Sequence, residues 1–422
     1  MNTKKSPWQW VPSLYFVEGL PYVIVMTVSV IMFQRLGISN TQNALYTSLL
    51  YLPWVVKPFW SPLVDSFRTK RFWMISMQLI ITASLVGIAL CIPIHHALFY
   101  SLIFLWFMAL ASASQDIAID GFYMLALTKP QQAYFVGIRS TAYRLAMLFG
   151  QGPLIIFAGY LEKHSGTVAR AWSMTFYAAS GLFLLLFVYH WFFLPKTDAD
   201  MLRTNAGGEQ HILRNMKNSL VSFFAKPNMA TALLFLLVFR LGEAQLVKIA
   251  SPFMLDSTVN GGLGLTTTSV GSIYGTAGVI ALVIGGVLGG VLVSRHGLRR
   301  WVWTMVIAMN VPNVVYVFLS FTQSASLPVI TSCVVLEQFG YGFGFTAYML
   351  YMIQISEGEF KTAHYAICTG FMALGMMLPG MLSGWIQSLL GYQGFFVWVM
   401  ICTIPSFLLV PRLHFSNDFG KR

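Results

Sequence analysis

Ten ionisable side chains lie inside stretches that are otherwise apolar: the acids Glu18, Asp116, Asp120, Glu243 and Glu337, and the bases Lys57, Arg139, Arg144, Arg240 and Lys248. Their charges cancel. Where water is scarce such groups do two kinds of chemistry: a carboxyl can carry a proton, and an Arg or Lys can hold an anion. A charge at the centre of a membrane helix costs about 2.5–3.5 kcal/mol to insert, so ten unpaired charges would cost roughly 25–35 kcal/mol. No folded chain has that reserve. The ten must pair, face a wet cavity or be neutral.

Their spacing narrows the choice. Gln115, Asp116 and Asp120 stand at i, i+1 and i+5, and the two acids, four apart, share a helix face. The chain turns at Thr128–Gln131, and the next stretch carries Arg139, Tyr143 and Arg144. Counted outward from the turn, Asp120 matches Arg139 in depth and Asp116 matches Arg144. Two stacked ion pairs are expected, either as a static clamp on this hairpin or as part of a cavity. Glu18 is flanked on its helical face by Tyr15 and Tyr22. It reads either as a proton carrier or as a partner permanently bridged to Arg144 or Lys57. Arg240, Ala244 and Lys248 share one face of a later stretch, with Glu243 next to Arg240 along the helix. Two bases on a cavity wall would attract a carboxylate or phosphate. The alternative is an internal Arg240–Glu243 pair with Lys248 reaching outward. Glu337, beside Gln338, is a further candidate for the same cavity.

The elements that must position these residues are membrane helices. The chain has 422 residues, 57% apolar and only 9% charged, with mean hydropathy +0.68. A soluble domain carries roughly a quarter charged residues. Collagenous, disordered and disulfide-rich classes are excluded. A bilayer crossing takes about 20 apolar residues, and such runs fall near 11–33, 44–64, 72–92, 97–124, 133–160, 171–194, 229–255, 269–293, 301–320, 328–355, 363–390 and 393–410. The fold expected is an all-α polytopic membrane protein with twelve spans. Of the Lys and Arg outside the spans, 18 fall on the side of the termini and 3 (Arg35, Lys163, Arg170) on the other. That bias predicts both termini in the cytoplasm. The net charge of +12 therefore belongs to loops and ends, and reports topology instead of nucleic-acid binding. The first run is too long for a cleavable signal sequence.

The polar stretch 195–226 separates six spans (1–194) from six (227–422) and reads as a cytoplasmic linker. Its end, with Ile212, Leu213, Met216, Leu220, Phe223 and Phe224 at helical spacing, predicts an interfacial helix. Span eight holds Gly271, Gly275, Gly285, Gly286, Gly289 and Gly290, a close-packing pattern. In span ten, Gly340, Gly342 and Gly344 mark an expected bending point. Prolines 21, 53, 58, 153, 252, 312 and 379 interrupt spans and read as kinks.

The two halves repeat. SPLVDSFRTKR (Ser61–Arg71) follows span two and GVLVSRHGLRR (Gly290–Arg300) follows span eight, 229 residues later. Both match G-x-L-x-D-R/K-x-G-x-R/K, the first with Ser61 and Arg68 in place of glycines, the second with Ser294 in place of the acid. Together they resemble the signature loop of the major facilitator superfamily. The resemblance implies two pseudo-repeat six-helix bundles around a water-accessible hollow, working by alternating access, with Asp65, Arg68, Lys70, Arg71, Arg295 and Arg299 as gating residues. A narrower resemblance rests on SASQDIAIDGFY (Ser112–Tyr123), TAYRLAMLFG (Thr141–Gly150), WSPLVD (Trp60–Asp65) and the Glu18–Pro21 run. These are similar to the AmpG-like muropeptide permeases and the acetyl-coenzyme A transporters, over about residues 14–160. The activity this implies is proton-coupled import of anionic anhydro-sugar peptides across a bacterial inner membrane during cell-wall recycling. Glu18, Asp116 and Asp120 would couple protons. Tyr15, Tyr22, Lys57, Gln115, Arg139, Tyr143, Arg144, Arg240, Glu243, Lys248 and Glu337 would face substrate. A carrier of acyl-coenzyme A or another amphipathic anion is the alternative.

Other classes fare worse. An embedded enzyme needs a nucleophile, His or metal set, and neither H-E-x-x-H, a Walker loop nor a G-x-S-x-G elbow occurs. The eight histidines lie mostly in loops or at span ends. The four cysteines (Cys91, Cys333, Cys368, Cys402) form no C-x-x-C pair and read as small core residues. A transporter-like sensor that binds without transporting is the different-class rival. No cofactor or metal is expected beyond a proton gradient as energy source. The partners expected are a small anionic substrate, the proton and the bilayer, with the chain a monomer.

Overall fold

The computed structural model describes residues 6–196, 209–358 and 360–415. All regular structure among them is helical. The first six spans become α1 (Pro7–Arg35), α2 (Asn40–Leu49, resuming at Leu52–Ser66), α3 (Lys70–Cys91), α4 (Ala97–Ala126), α5 (Lys129–Gln151, resuming at Pro153–His164) and α6 (Val168–Phe193). Then come α7 (Glu209–Phe224), α8 (Met229–Leu255), α9 (Thr267–His296), α10 (Leu298–Thr322), α11 (Leu327–Ser356) and α12 (Lys361–Leu409). The last element covers spans eleven and twelve, because Gly391 (φ 64°, ψ 178°) reverses the chain inside it. That backbone region is essentially open to glycine alone.

Local sequence explains the starts and breaks. The hydroxyls of Ser39, Thr69, Thr167 and Thr266 each accept a first-turn N–H of α2, α3, α6 and α9. Thr128 and Gln131 form a capping box on α5. Pro53 and Pro153 follow the breaks of α2 and α5, since proline supplies no N–H to the preceding turn. After Pro21, α1 passes through a π-helical turn at Ile24–Val28; α9 has a longer one at Gly271–Gly278, which the sequence did not disclose.

The chain divides into two compact units, Met1–Ser29 with Val56–Asn215, and Val30–Val55 with Met216–Arg422. In the first, α1 packs on α4 and α5, and α3 lies between α4 and α6. In the second, α9 and α10 both pack on α11, while α8 and the first piece of α2 pack on α12. The glycines of α11 turn out to be packing points instead of a bend, because the helix runs on unbroken. A Cβ on Gly342 would lie 2.0 Å from the Leu282 carbonyl of α9, and one on Gly340 2.1 Å from the Ala308 carbonyl of α10. Backbones can approach this closely only without side chains. The end of α7 also departs from expectation: Phe223 is buried in the core of the second unit and Ser222 contacts His364, so this end packs inward instead of lying at the interface. The side chains of Ile212, Leu213 and Met216 are outside the described residues.

Candidate proton-coupling and anion-binding sites

In the first unit the charges of α1, α2, α4 and α5 converge. Lys57 of α2 forms an ion pair with Asp116 of α4. Glu18 of α1 lies beside the same Asp116, and its Oε2 is buried without a hydrogen-bond partner. One turn along, Arg139 Nη1 donates to Asp120 Oδ1 at 3.1 Å and to the Tyr15 hydroxyl at 3.0 Å, while that hydroxyl donates to Asp120 at 3.0 Å. The guanidinium also lies over the rings of Tyr15 and Tyr123, 5.2 and 5.0 Å from their centroids. Gln115 Nε2 donates to the Val17 carbonyl at 3.3 Å, fixing α4 against α1, and Gln115 Oε1 is buried unbonded.

The expected Asp120–Arg139 pair is therefore present, and the expected Asp116–Arg144 pair is not. Depth counted from a turn gives no azimuth, and Lys57 on a third helix reaches Asp116 first. Arg144 is half-buried and makes no ion pair or hydrogen bond among the described residues. Glu18 makes no ion pair with Arg144 or Lys57 among the described residues. Tyr143 of α5 packs against α1 next to Glu18, where a Cβ on Gly19 would lie 3.0 Å from the Tyr143 carbonyl oxygen.

The second unit holds a drier group. The Arg240 guanidinium donates to the Tyr341 hydroxyl and lies 4.9 Å from the Phe345 ring centroid, leaving Nε buried without a partner. Glu243 Oε2 is likewise buried and unpartnered, so Arg240 and Glu243 form no direct ion pair, contrary to that alternative. Glu337, 1% exposed, accepts from Gln338 Nε2 at 3.0 Å and from the Tyr316 hydroxyl at 3.4 Å. Lys248, 2% exposed, neither reaches outward nor meets a carboxylate: Nζ donates to Thr47 Oγ1 at 3.1 Å and lies 5.3 Å from the Tyr51 ring centroid. Tyr341 and Tyr123 were missed by sequence reasoning, although the first stands four residues after Glu337 and the second three after Asp120, the spacing that identified the acids.

The signature-loop residues divide by role. Lys70 is buried and donates to the Val64 carbonyl at the end of α2, lying against Gly121 of α4, where a Cβ would come within 2.9 Å of its Cε. Arg71 donates to the Trp191 and Leu194 carbonyls at the end of α6, at 2.6 and 3.4 Å. Both thus cap helix C-termini, where carbonyls are unsatisfied and positive charge is favoured. Arg68 is exposed, adopts φ 64°, and lies over Phe67 and Phe72. Arg295 is exposed in the last turn of α9, and Arg299 is exposed at the start of α10. The side chain of Asp65 lies outside the described residues.

Two histidines prove structural. His190 is buried in α6 and bridges Gln78 and Ser13, each at 3.0 Å, and His364 of α12 holds Ser222 and the Ser219 carbonyl of α7. All four cysteines are free, three of them buried. No group of three metal-ligating side chains occurs among the described residues.

Comparison with known proteins follows the same line. The family model described as Major Facilitator Superfamily matches residues 13–354. A Rickettsia conorii transporter named AmpG 4 is 24% identical over 95% of each chain, and the anhydromuropeptide permease of Escherichia coli is 24% identical over 94% of this chain and 77% of its own. Among solved structures, a D-xylose-proton symporter superposes with a TM-score of 0.74 at 12% identity over 98% of both chains. The nucleoside transporter NupG superposes with a TM-score of 0.70 at 13% identity over 99% of this chain and all of the other.

Proposed function

The chain belongs to the Major Facilitator Superfamily, whose model covers most of it, and we propose that this membrane transporter is a proton-coupled importer of anionic muropeptides. The relatives named AmpG and anhydromuropeptide permease support the substrate class. The observation that carries proton coupling is the arrangement of Glu18, Asp116 and Lys57. Two carboxyls lie beside one ammonium, and carboxyls this close disfavour both being ionised, so one of them is suited to hold a proton. Moving that proton on or off changes whether Lys57 is held by Asp116, which ties protonation to the relation between α2 and α4. Asp120, with Arg139 and Tyr15, is the third carboxyl of this relay.

Anion recognition is assigned to the bases that carboxylates leave free: Arg144 in the first unit, and Arg240 and Lys248 in the second. Tyr22, Gln115 and Tyr143 line the first group, with Glu243 and Glu337 orienting polar parts of the substrate in the second. The two sequence halves, 1–194 and 227–422, joined by 195–226, would alternate access to substrate from the two membrane faces, with Asp65, Arg68, Lys70, Arg71, Arg295 and Arg299 at the signature loops. The bias of Lys and Arg supports an inner-membrane orientation with both termini cytoplasmic, and the chain is proposed to act as a monomer. The test is uptake of a muropeptide panel into proteoliposomes driven by a pH gradient. Glu18→Gln and Asp116→Asn should abolish gradient-driven accumulation while leaving exchange of labelled substrate. If both retain accumulation, the coupling assignment is wrong; if no muropeptide exchanges but acyl-coenzyme A does, the substrate class is wrong.

A further inference from the structure

A cavity of about 250 Å³ opens in the second unit where the start of α8, the end of α11 and the residues after α12 meet. It is far larger than the roughly 10–15 Å³ that holds one water. Its floor is apolar, made by Met229, Ala232, Tyr351 and Leu413, all buried. Its mouth is basic, made by Lys226, Arg412 and His414, with Glu357 the one acid in the lining.

The three bases differ in how they are held. Lys226 is fixed in the wall, its Nζ donating to the Ile355 carbonyl at 2.6 Å and the Glu357 carbonyl at 2.8 Å. Those bonds use two of the three ammonium donors and leave one for a ligand. Arg412 is exposed, and its guanidinium makes no hydrogen bond or ion pair among the described residues. The His414 carbonyl accepts from Gln354 at 2.9 Å, which anchors its backbone while the imidazole has no partner among the described residues. An unengaged guanidinium fork, one spare ammonium donor and an imidazole around an apolar floor match a phosphate carried on a less polar body. Lys226 and Arg412 belong to the segments outside the spans where the sequence concentrates its Lys and Arg.

We propose that this cavity binds a phosphate ester through Arg412, His414 and Lys226, separately from the charged clusters of α1, α4 and α8. The chemistry is met by the headgroup of an anionic phospholipid such as phosphatidylglycerol and by a soluble glycerol phosphate. The floor, open to a glycerol or acyl portion, is what distinguishes it from a site for bare inorganic phosphate.

The test uses the full chain, purified in neutral detergent. Phosphatidylglycerol retention is measured by native mass spectrometry against phosphatidylcholine, and thermal unfolding is measured with added glycerol phosphate or inorganic phosphate. Arg412→Gln should weaken phosphatidylglycerol retention by about fivefold, the factor for one basic residue at an anionic lipid surface, and Arg412→Gln with His414→Gln by more. Arg300→Gln, an exposed base outside the cavity, should leave retention unchanged. Selective retention lost in these variants supports a lipid source. Stabilisation by glycerol phosphate that the variants lose, without lipid retention, supports a soluble one. Equal retention of both lipids, stabilisation by inorganic phosphate alone, or no difference between Arg412→Gln and Arg300→Gln would overturn the proposal. Unliganded melting of each variant separates loss of binding from loss of fold.

Discussion

Removing Lys57 should harm the protein more than removing the carboxylate it contacts. Among the described residues Lys57 is the cation paired with Asp116, whereas Asp120 is paired with Arg139. Lys57→Met leaves Glu18 and Asp116 against each other with no cation. Asp116→Asn leaves Lys57 with Glu18 as a replacement partner. Removing one member of a fully buried pair costs about 3–5 kcal/mol, and an exposed pair contributes about 0–1 kcal/mol. With 25% of the Lys57 side chain and 21% of Asp116 accessible, the pair lies between these limits. The expected losses are about 2–3 kcal/mol for Lys57→Met and about 1 kcal/mol for Asp116→Asn. The double variant should lose about 2 kcal/mol, a coupling of about 1–2 kcal/mol. Equilibrium unfolding of purified protein in mixed micelles, followed by helical circular dichroism, measures all three. Equal single losses, or additivity within about 0.5 kcal/mol, would refute the shared-ammonium reading.

Three further outcomes are expected in the same assay. Gly342→Ala pushes a methyl against the Leu282 carbonyl and should cost about 1–3 kcal/mol, whereas Gly290→Ala, where a methyl meets nothing, should be neutral; similar losses would discredit the α9–α11 contact. Arg139→Lys keeps the charge but loses the fork to Asp120 and Tyr15 and the stacking on two rings, and should cost about 1–2 kcal/mol. Arg71→Gln should cost about 0.5–1 kcal/mol by uncapping α6, and a transport defect without that loss would make Arg71 a gating residue instead of a cap.

The architecture was open to sequence reasoning because a membrane span is a one-dimensional signal: length, hydropathy and basic flanks fix it without knowledge of neighbours. Asp120 with Arg139 was legible for a related reason, since a short turn sets both residues at one depth, although it is α1 that packs on both of their helices and adds Tyr15 to the pair. Asp116 shows where that stops. Lys57 is 59 residues away on a helix whose rotation no local pattern reports. The glycines of α11 illustrate a second limit. A residue without a side chain permits either a bend or a close neighbour, and only the positions of Leu282 and Ala308 decide between them. Lys248 shows a third, because Thr47 and Tyr51 become its surroundings through packing of the α2 piece that no spacing rule foresees.

The reversal at Gly391 also bears on how the chain is made. A crossing pair joined by one residue leaves no slack between its helices, so spans eleven and twelve are expected to enter the bilayer together as one helical hairpin. The neighbouring Tyr392 hydroxyl, bonded to Asp256 at 3.1 Å and to Asn40 at 3.0 Å, then fastens that hairpin to the end of α8 and the start of α2. A residue with a Cβ at 391 would strike at biogenesis before it touched transport, and its signature would be truncated topology in newly made chains instead of slowed uptake in mature ones.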